Sequence, residues 1–488
     1  MFTRLCLRLL LFVSLIFSAL TCGGYNLFGI PGNGYQIDVE LGHPPQRFKL
    51  LMDTGSSNLA VAAVDSVKIT NYFHYQNSTT LHNTGKQVEA EFSRGKWWGN
   101  VSKDVTVLPS LSSTYAVRSD IVLIDKQYDF FMEEQSYKEY NWQGILGLAY
   151  PPISVSNSLV TAEPWLDSID TQLGLIISFE LSLCGVISPT NLIQYGRFSL
   201  MDDSKPKPKQ AFNFSTPILK EDWYEIAVLN VRVVQPVYID LPELQEDHVL
   251  TPPAKFLRSE ELNETCQILN LEKSIVDCGT TNLRLPTKIF QQVTIICLNK
   301  QYLLWSHWQE PICWLGLQKF NLPNVAIDIL DVDDENQYYS LELPPESYIR
   351  LIYSKPYNET YMEYCYKLGI EGHVVETVLG VTAMEGFQII FNRSAAIVTF
   401  SKSECGPNVT ITGPYRLNES IFDLCKLDNW PPITIDITLQ IAQVFAVVVL
   451  ILTFCLLLYL LTAGLRRKLF YILHERLYGP HPDLDRLA

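Results

Sequence analysis

The chain has 488 residues, with 37 Lys+Arg against 52 Asp+Glu and a net charge of −15. That length accommodates two or more domains and a large buried core. Hydrophobic residues make up 47% and charged residues 18%, too apolar a balance for a disordered chain. The acidic excess, with no long Lys/Arg run, excludes nucleic acid as a partner, because phosphate neutralisation needs clustered cations.

In chain order, Arg4 and Arg8 precede the mostly apolar run Leu9 to Leu20, then Cys22, Gly23 and Gly24. A positive start, a short apolar middle and small residues after it predict a secretory signal peptide over 1–22. The alternative, a membrane anchor, is disfavoured because the run is short for a bilayer. Tyr35 to Leu41 alternates polar and apolar residues, and Ile226 to Val234 is rich in β-branched residues; both predict strands. The clearest helical stretch is Pro286 to Leu298, so the body is expected to be mainly β. Residues 201–215 (MDDSKPKPKQAFNFS) alternate Pro and Lys, which cannot pair inside a sheet, and predict a loop between parts 25–200 and 216–427.

Leu439 to Leu465 contains no charged residue and is followed by Arg466, Arg467 and Lys468. About 20 such residues span a hydrocarbon layer as a helix, and a basic flank marks the cytoplasmic side. The expectation is a type I protein: a luminal body, a transmembrane helix at 439–465 and a cytoplasmic tail at 466–488. A buried core helix, the alternative, would normally show a polar face at this length. Asn-x-Ser/Thr sequons at Asn77, Asn100, Asn213, Asn263, Asn358, Asn392, Asn408 and Asn418 all precede the span, as glycosylation in a lumen requires. Of 11 cysteines, eight lie between Cys184 and Cys425, an even set suited to an oxidising compartment. Spacing alone selects no pairing. No C-x-x-C, H-E-x-x-H, G-x-S-x-G or phosphate-loop pattern occurs, so neither metal nor cofactor is expected.

A coarse internal repeat carries the chemistry. Leu50-Leu51-Met52-Asp53-Thr54-Gly55-Ser56-Ser57-Asn58-Leu59 parallels Ser274-Ile275-Val276-Asp277-Cys278-Gly279-Thr280-Thr281-Asn282-Leu283, and Ile145-Leu146-Gly147 parallels Val378-Leu379-Gly380. In each half an apolar strand delivers an Asp to a tight turn where Gly permits close approach. Two such turns face to face would set two carboxylates on one water. Like charges that close share a proton, so one carboxyl accepts a proton from water while the other protonates a carbonyl. The plainer reading, that both Asp side chains only brace turns, fits one copy better than two matched ones.

With these residues in view, the chain resembles the pepsin-type aspartic proteases, closest to the membrane-anchored beta-secretases (memapsins). The resemblance rests on Gly34-Tyr35, Pro44-Pro45-Gln46, Asp53 to Asn58, Gly144 to Tyr150, Ser274 to Pro286 and Met384-Glu385-Gly386-Phe387. It implies a bilobal pepsin-like fold with a C-terminal transmembrane helix. Asp53 and Asp277 would be the catalytic dyad, braced by Ser56 and Thr280, with Gly55 and Gly279 beside them in the substrate site. Phe92 to Trp97 falls at the flap that closes over substrate. Arg284 matches a polar substrate pocket, with a solvated charge as its alternative. The family's disulfides imply Cys184–Cys405, Cys266–Cys425 and Cys313–Cys365.

Three departures follow. Phe92 stands where the family has Tyr, losing one hydrogen bond of ~0.5–1.5 kcal/mol. Cys278 stands where Ser or Thr is expected, and a thiol donates weakly. It is left unpaired together with Cys297, a buried free thiol on an apolar helix face, and a Cys278–Cys297 bridge would pull on the dyad turn. No dibasic site precedes Tyr35, so activity without zymogen processing is expected. The resulting expectation is a membrane-anchored aspartic endopeptidase cutting luminal or extracellular parts of single-span membrane proteins. Its expected address is the secretory pathway, Golgi/endosome and cell surface. A pseudoprotease, a peptide-binding ectodomain with weak or no turnover, is the alternative that Cys278 and Phe92 motivate.

Overall fold

The two Asp-bearing segments build the same crossing of strands. In Gln46–Asp53, side chains alternate, so Phe48, Leu50 and Met52 point into the core at 2% exposure or less. This strand pairs in parallel with Gly144–Gly147, Asp53 opposite Gly147. After the turn, Leu59–Ala62 returns on the other side of Gly144–Gly147, antiparallel to it, and continues in parallel with Val117–Tyr128. The second half repeats the arrangement. Ser274–Val276 pairs in parallel with Thr377–Leu379, and Leu283–Pro286 lies antiparallel on the other side and parallel to Ile370–His373. The Ile145-Leu146-Gly147 and Val378-Leu379-Gly380 elements are therefore the middle strands of both crossings.

A computed structural model describes residues 24–478 apart from 65–68, 70, 94, 112–114, 132–140, 158–159, 176, 204–212, 235–258, 299–309, 359 and 428–434. The expected signal peptide and the tail beyond Tyr478 lie outside the described residues. Of the expected loop 201–215, residues 201–202 close the strand Asn191–Asp202 and residues 213–215 open Asn213–Pro217; 204–212 are not described. The strand expected over 226–234 runs from Val228 to Val234, and the expected helix runs from Thr287 to Leu298.

Mainly β architecture holds throughout the body. Among the described residues, thirteen strands form one continuous sheet that includes segments of both halves. Ile177–Ser188 from the first half pairs with Phe387–Asn392 from the second, Phe179 opposite Phe391, and their rings stack at 4.7 Å. The second half adds sheets of six, four and three strands. Because the shared sheet crosses the divide, residues through Asp428 cohere as one compact unit.

Two motifs far apart in sequence meet at this junction. Tyr35 donates its hydroxyl to Glu385 at 2.7 Å and accepts the Gly185 N–H at 2.8 Å. Glu385 also receives Arg350 at 3.2 Å, with both charges over nine-tenths buried. A buried charge pair is costly unless its remaining polar atoms are bonded; Tyr35 and Gln194 meet that demand on Glu385, while the Arg350 Nε–H has no acceptor among the described residues. Disulfides join Cys184 to Cys405, Cys266 to Cys425 and Cys313 to Cys365. The last lies between directly opposed residues of Ile312–Leu315 and Met362–Leu368.

Residues 429–488 form a separate unit. Within it, Ile435–Tyr478 is one helix of 44 residues that runs on through Arg466, Arg467 and Lys468. Among the described residues no helix is long and apolar enough to cross a membrane. Within the expected transmembrane span 439–465, the side chains at 439–444, 448, 455–457, 460, 461 and 463 lie outside the described residues.

Candidate active site

The two crossings bring Asp53 and Asp277 together, each almost buried at 5% and 7% exposure. Their backbones are pinned at the ends of the middle strands: Leu148 N–H, just past Gly147, donates to the Asp53 carbonyl at 2.8 Å, and Asp277 N–H donates to the Leu379 carbonyl at 3.0 Å. The carboxylates are bonded in the same way. Gly55 N–H donates to Asp53 Oδ1 and Gly279 N–H to Asp277 Oδ1, both at 2.8 Å. The outer oxygens receive hydroxyls, Ser56 on Asp53 Oδ2 at 2.5 Å and Thr280 on Asp277 Oδ2 at 2.6 Å. With those positions filled, the inner edges of the two groups are left to face each other.

Glycine is required here by contact. A Cβ on Gly55 would lie 2.8 Å from Asp277 Cγ, and one on Gly279 would overlap Asp53 Oδ1. Each glycine thus makes room for the opposite carboxylate. Burial, and after it the charge of Asp277, hold the Asp53 carboxyl well above its usual range; a hydrogen bond with Asp277 adds to this, against the lowering effect of Ser56 and Gly55.

A second set of bonds ties the turns to one another. Thr54 donates its hydroxyl to the Val276 carbonyl at 2.9 Å and accepts the Cys278 N–H at 3.0 Å. From the other side the Cys278 thiol donates to the Met52 carbonyl at 3.3 Å. Burial, and then the charges of Asp277 and Asp53, push this thiol well above its usual value, so it keeps its proton and remains a donor. Cys278 is free and buried, which leaves no Cys278–Cys297 bridge. The side chain of Cys297 lies outside the described residues.

Above the dyad, His82–Glu91 and Lys96–Val107 form a hairpin closed by Phe92 N–H on the Gly95 carbonyl. Phe92 packs on Phe130 at 5.2 Å and on Trp97 at 6.4 Å. Trp97 is buried, and its indole N–H has no acceptor among the described residues; Phe92 offers it no hydroxyl. A cavity of about 160 Å³ opens beneath, lined by Gly55, Ser56, Phe92, Trp97 and Trp223 among others. A larger groove of about 1020 Å³ runs past Cys184–Cys405 and Arg350, and neither Asp53 nor Asp277 is among the lining residues of either space.

Arg284 does not line the 160 Å³ cavity, nor is it a free solvated charge. Its Nε is 2.9 Å from Glu371 and its Nη1 3.5 Å from Glu376, so two carboxylates already balance it. Sequence reasoning missed these partners, which lie about ninety residues downstream. It also missed Thr54 as the tie between turns and Trp223 in the cavity wall. Thr54 was signalled by its place in the repeat, opposite Cys278; nothing local to Trp223 marked it.

Fold and site together define an aspartic-protease-like arrangement, and residues 34–180 match the family described as eukaryotic aspartyl protease. The chain resembles the pepsin-type aspartic proteases. Among individual relatives it is similar to the beta-secretase of Strongylocentrotus purpuratus, 28% identical over 78% of this chain and 68% of that protein. It is also similar to human cathepsin D, 31% identical over 30% of this chain and 38% of that protein. A third relative is pregnancy-associated glycoprotein 2 of Sus scrofa, 30% identical over 25% of this chain and 29% of that protein.

Proposed function

We propose that this protein is a membrane-anchored aspartic endopeptidase, with Asp53 and Asp277 as its dyad. The observation that carries the reading is the facing carboxyl pair, each fixed by one Gly N–H and one hydroxyl. A water held between the inner oxygens would lose a proton to the ionised carboxyl as it attacks the scissile carbonyl. The protonated carboxyl would donate to the carbonyl oxygen, giving a gem-diol. Ser56 and Thr280 keep the outer oxygens occupied, and the Phe92 hairpin limits water once substrate is bound.

Anchoring by residues 439–465 rests on their unbroken apolar sequence and the basic flank that follows. An anchored cleft would meet luminal or extracellular stalks of single-span membrane proteins at raised effective concentration, in the Golgi/endosome system and at the cell surface. Similarity to a beta-secretase supports a membrane address in the secretory pathway.

The test is a randomised peptide library incubated at acidic pH with full-length protein in detergent, alongside Asp53→Asn and Asp277→Asn. Cleavage by the wild type alone is expected. Equal, negligible cleavage by all three would favour the second reading, a peptide-binding pseudoprotease, for which the weak thiol donor at Cys278 speaks. Retention in the membrane pellet after alkaline extraction checks the anchor.

A further inference from the structure

Among the residues lining the cavity beside Phe92, Trp223 comes from the other half of the body. Lys220–Glu221 and Tyr224–Glu225 form a small hairpin, Glu221 opposite Tyr224, with Asp222 and Trp223 at its tip. The tip is fastened to the first half at three points. Tyr224 donates its hydroxyl to the Leu148 carbonyl at 2.5 Å, and Tyr150 N–H reaches the Asp222 carbonyl at 3.4 Å. The third is Trp223, whose indole N–H donates to the carbonyl of Gly55 at 3.0 Å. Leu148 is also the residue whose N–H holds the Asp53 carbonyl.

A face of the Trp223 ring is held from the second Asp segment. Lys273, just before the strand that delivers Asp277, sets its ammonium 4.6 Å from the ring centroid. Lys273 is in turn fixed by Glu376 at 3.0 Å, and Glu376 by Arg284. Burial alone would raise the Glu376 carboxyl; Lys273 first, then His373 and Arg284, outweigh it and hold it below its usual value, so the anchor stays charged.

We infer that Trp223 is a positioning residue for the dyad, bracketed between the turn that carries Asp53 and the lysine that precedes the Asp277 strand. The inference rests on the endopeptidase reading and deepens it. The Gly55 carbonyl belongs to the peptide unit that leads into Ser56, and the Ser56 hydroxyl orients Asp53 Oδ2. Fixing that peptide plane therefore fixes the outer oxygen and, through it, the inner edge that meets water. The ring also lines the cavity beside Phe92, together with Gly55 and Ser56.

The experiment compares wild type with Trp223→Phe, Lys273→Met, Lys273→Arg and the Trp223→Phe/Lys273→Met double variant. All are full-length, assayed on one fluorogenic peptide chosen from a randomised pool, with active sites titrated by a hydroxyl-bearing transition-state analogue. Trp223→Phe keeps an aromatic face for Lys273 while deleting the donor and part of the bicyclic ring, so kcat falls about two- to tenfold while KM holds within about twofold. Lys273→Met lowers kcat in the same direction, and Lys273→Arg, which keeps the cation over the ring, restores it. The double variant is no worse than Trp223→Phe alone, because both changes act through one side chain. An unchanged kcat per titrated site in Trp223→Phe, with wild type active, overturns the inference and leaves the endopeptidase reading standing. An inactive wild type that also fails to bind the analogue overturns both.

Discussion

Replacing Gly55 by Ala tests the dyad geometry most directly. The added Cβ would stand 2.8 Å from Cγ and Oδ2 of Asp277 and 2.9 Å from its Oδ1. Ordinary non-bonded contact needs roughly 3.5–4.0 Å, so something must move by about 0.7 Å or more. Asp277 cannot recoil freely, since Gly279 N–H and the Thr280 hydroxyl hold it at 2.8 and 2.6 Å. Gly55 is not among the glycines in left-handed backbone, which separates crowding from backbone strain. A misplacement approaching 1 Å costs about a hundredfold in rate, and overpacking costs about 1–3 kcal/mol of stability. Gly55→Ala is therefore expected to fold, to melt a few degrees lower, and to lose about two orders of magnitude in kcat. The assay is turnover of a fluorogenic peptide by the full chain, with thermal unfolding in parallel. A kcat within about threefold of wild type, with Tm unchanged, would show that Asp277 does not sit over Gly55 and would refute the facing-carboxyl geometry.

Cys278→Ser replaces a weak donor to Met52 by a stronger one, and kcat is expected to match or exceed wild type by up to about tenfold; a hundredfold loss would show that the sulfur is required for packing. The Asp53 carboxyl is held above its unfolded value, so its stabilising contribution is complete below the unfolded carboxyl range near ~4 and fades as pH rises through the folded value. Asp53→Asn should accordingly be more stable than wild type at neutral pH and lose that advantage on acidification, read from thermal unfolding across pH; a constant difference would contradict the shift. Arg350→Met leaves Glu385 buried without its cation, with an expected cost of about 3–5 kcal/mol in urea unfolding. Adding Glu385→Gln should recover part of it, and no recovery would mean that packing, rather than charge, is what Arg350 supplies.

The Asp turns were legible because their chemistry is written locally. An apolar alternating run, an Asp, a Gly and a hydroxyl three residues on specify a strand, a turn and a braced carboxylate before any partner is known. Doubling of that pattern implied a facing pair. The strand over Tyr35–Leu41 and the helix ending at Leu298 were legible for the same reason, since side-chain period is a local property. The disulfide pairs were not written in spacing at all; they entered through family resemblance.

Tertiary structure decided what depends on residues far apart. Arg284 reads in sequence as one cation near the second Asp turn, and only the register of Leu283–Pro286 against Ile370–His373 gives it Glu371. Tyr35 finds Glu385, and Trp223 finds Gly55, because strand pairing and burial carry them across the divide between halves. Local pattern sets which face of an element is apolar and where the chain can turn. Which buried donor meets which acceptor is settled when the whole core closes, since the cost of leaving either unpaired is paid only there.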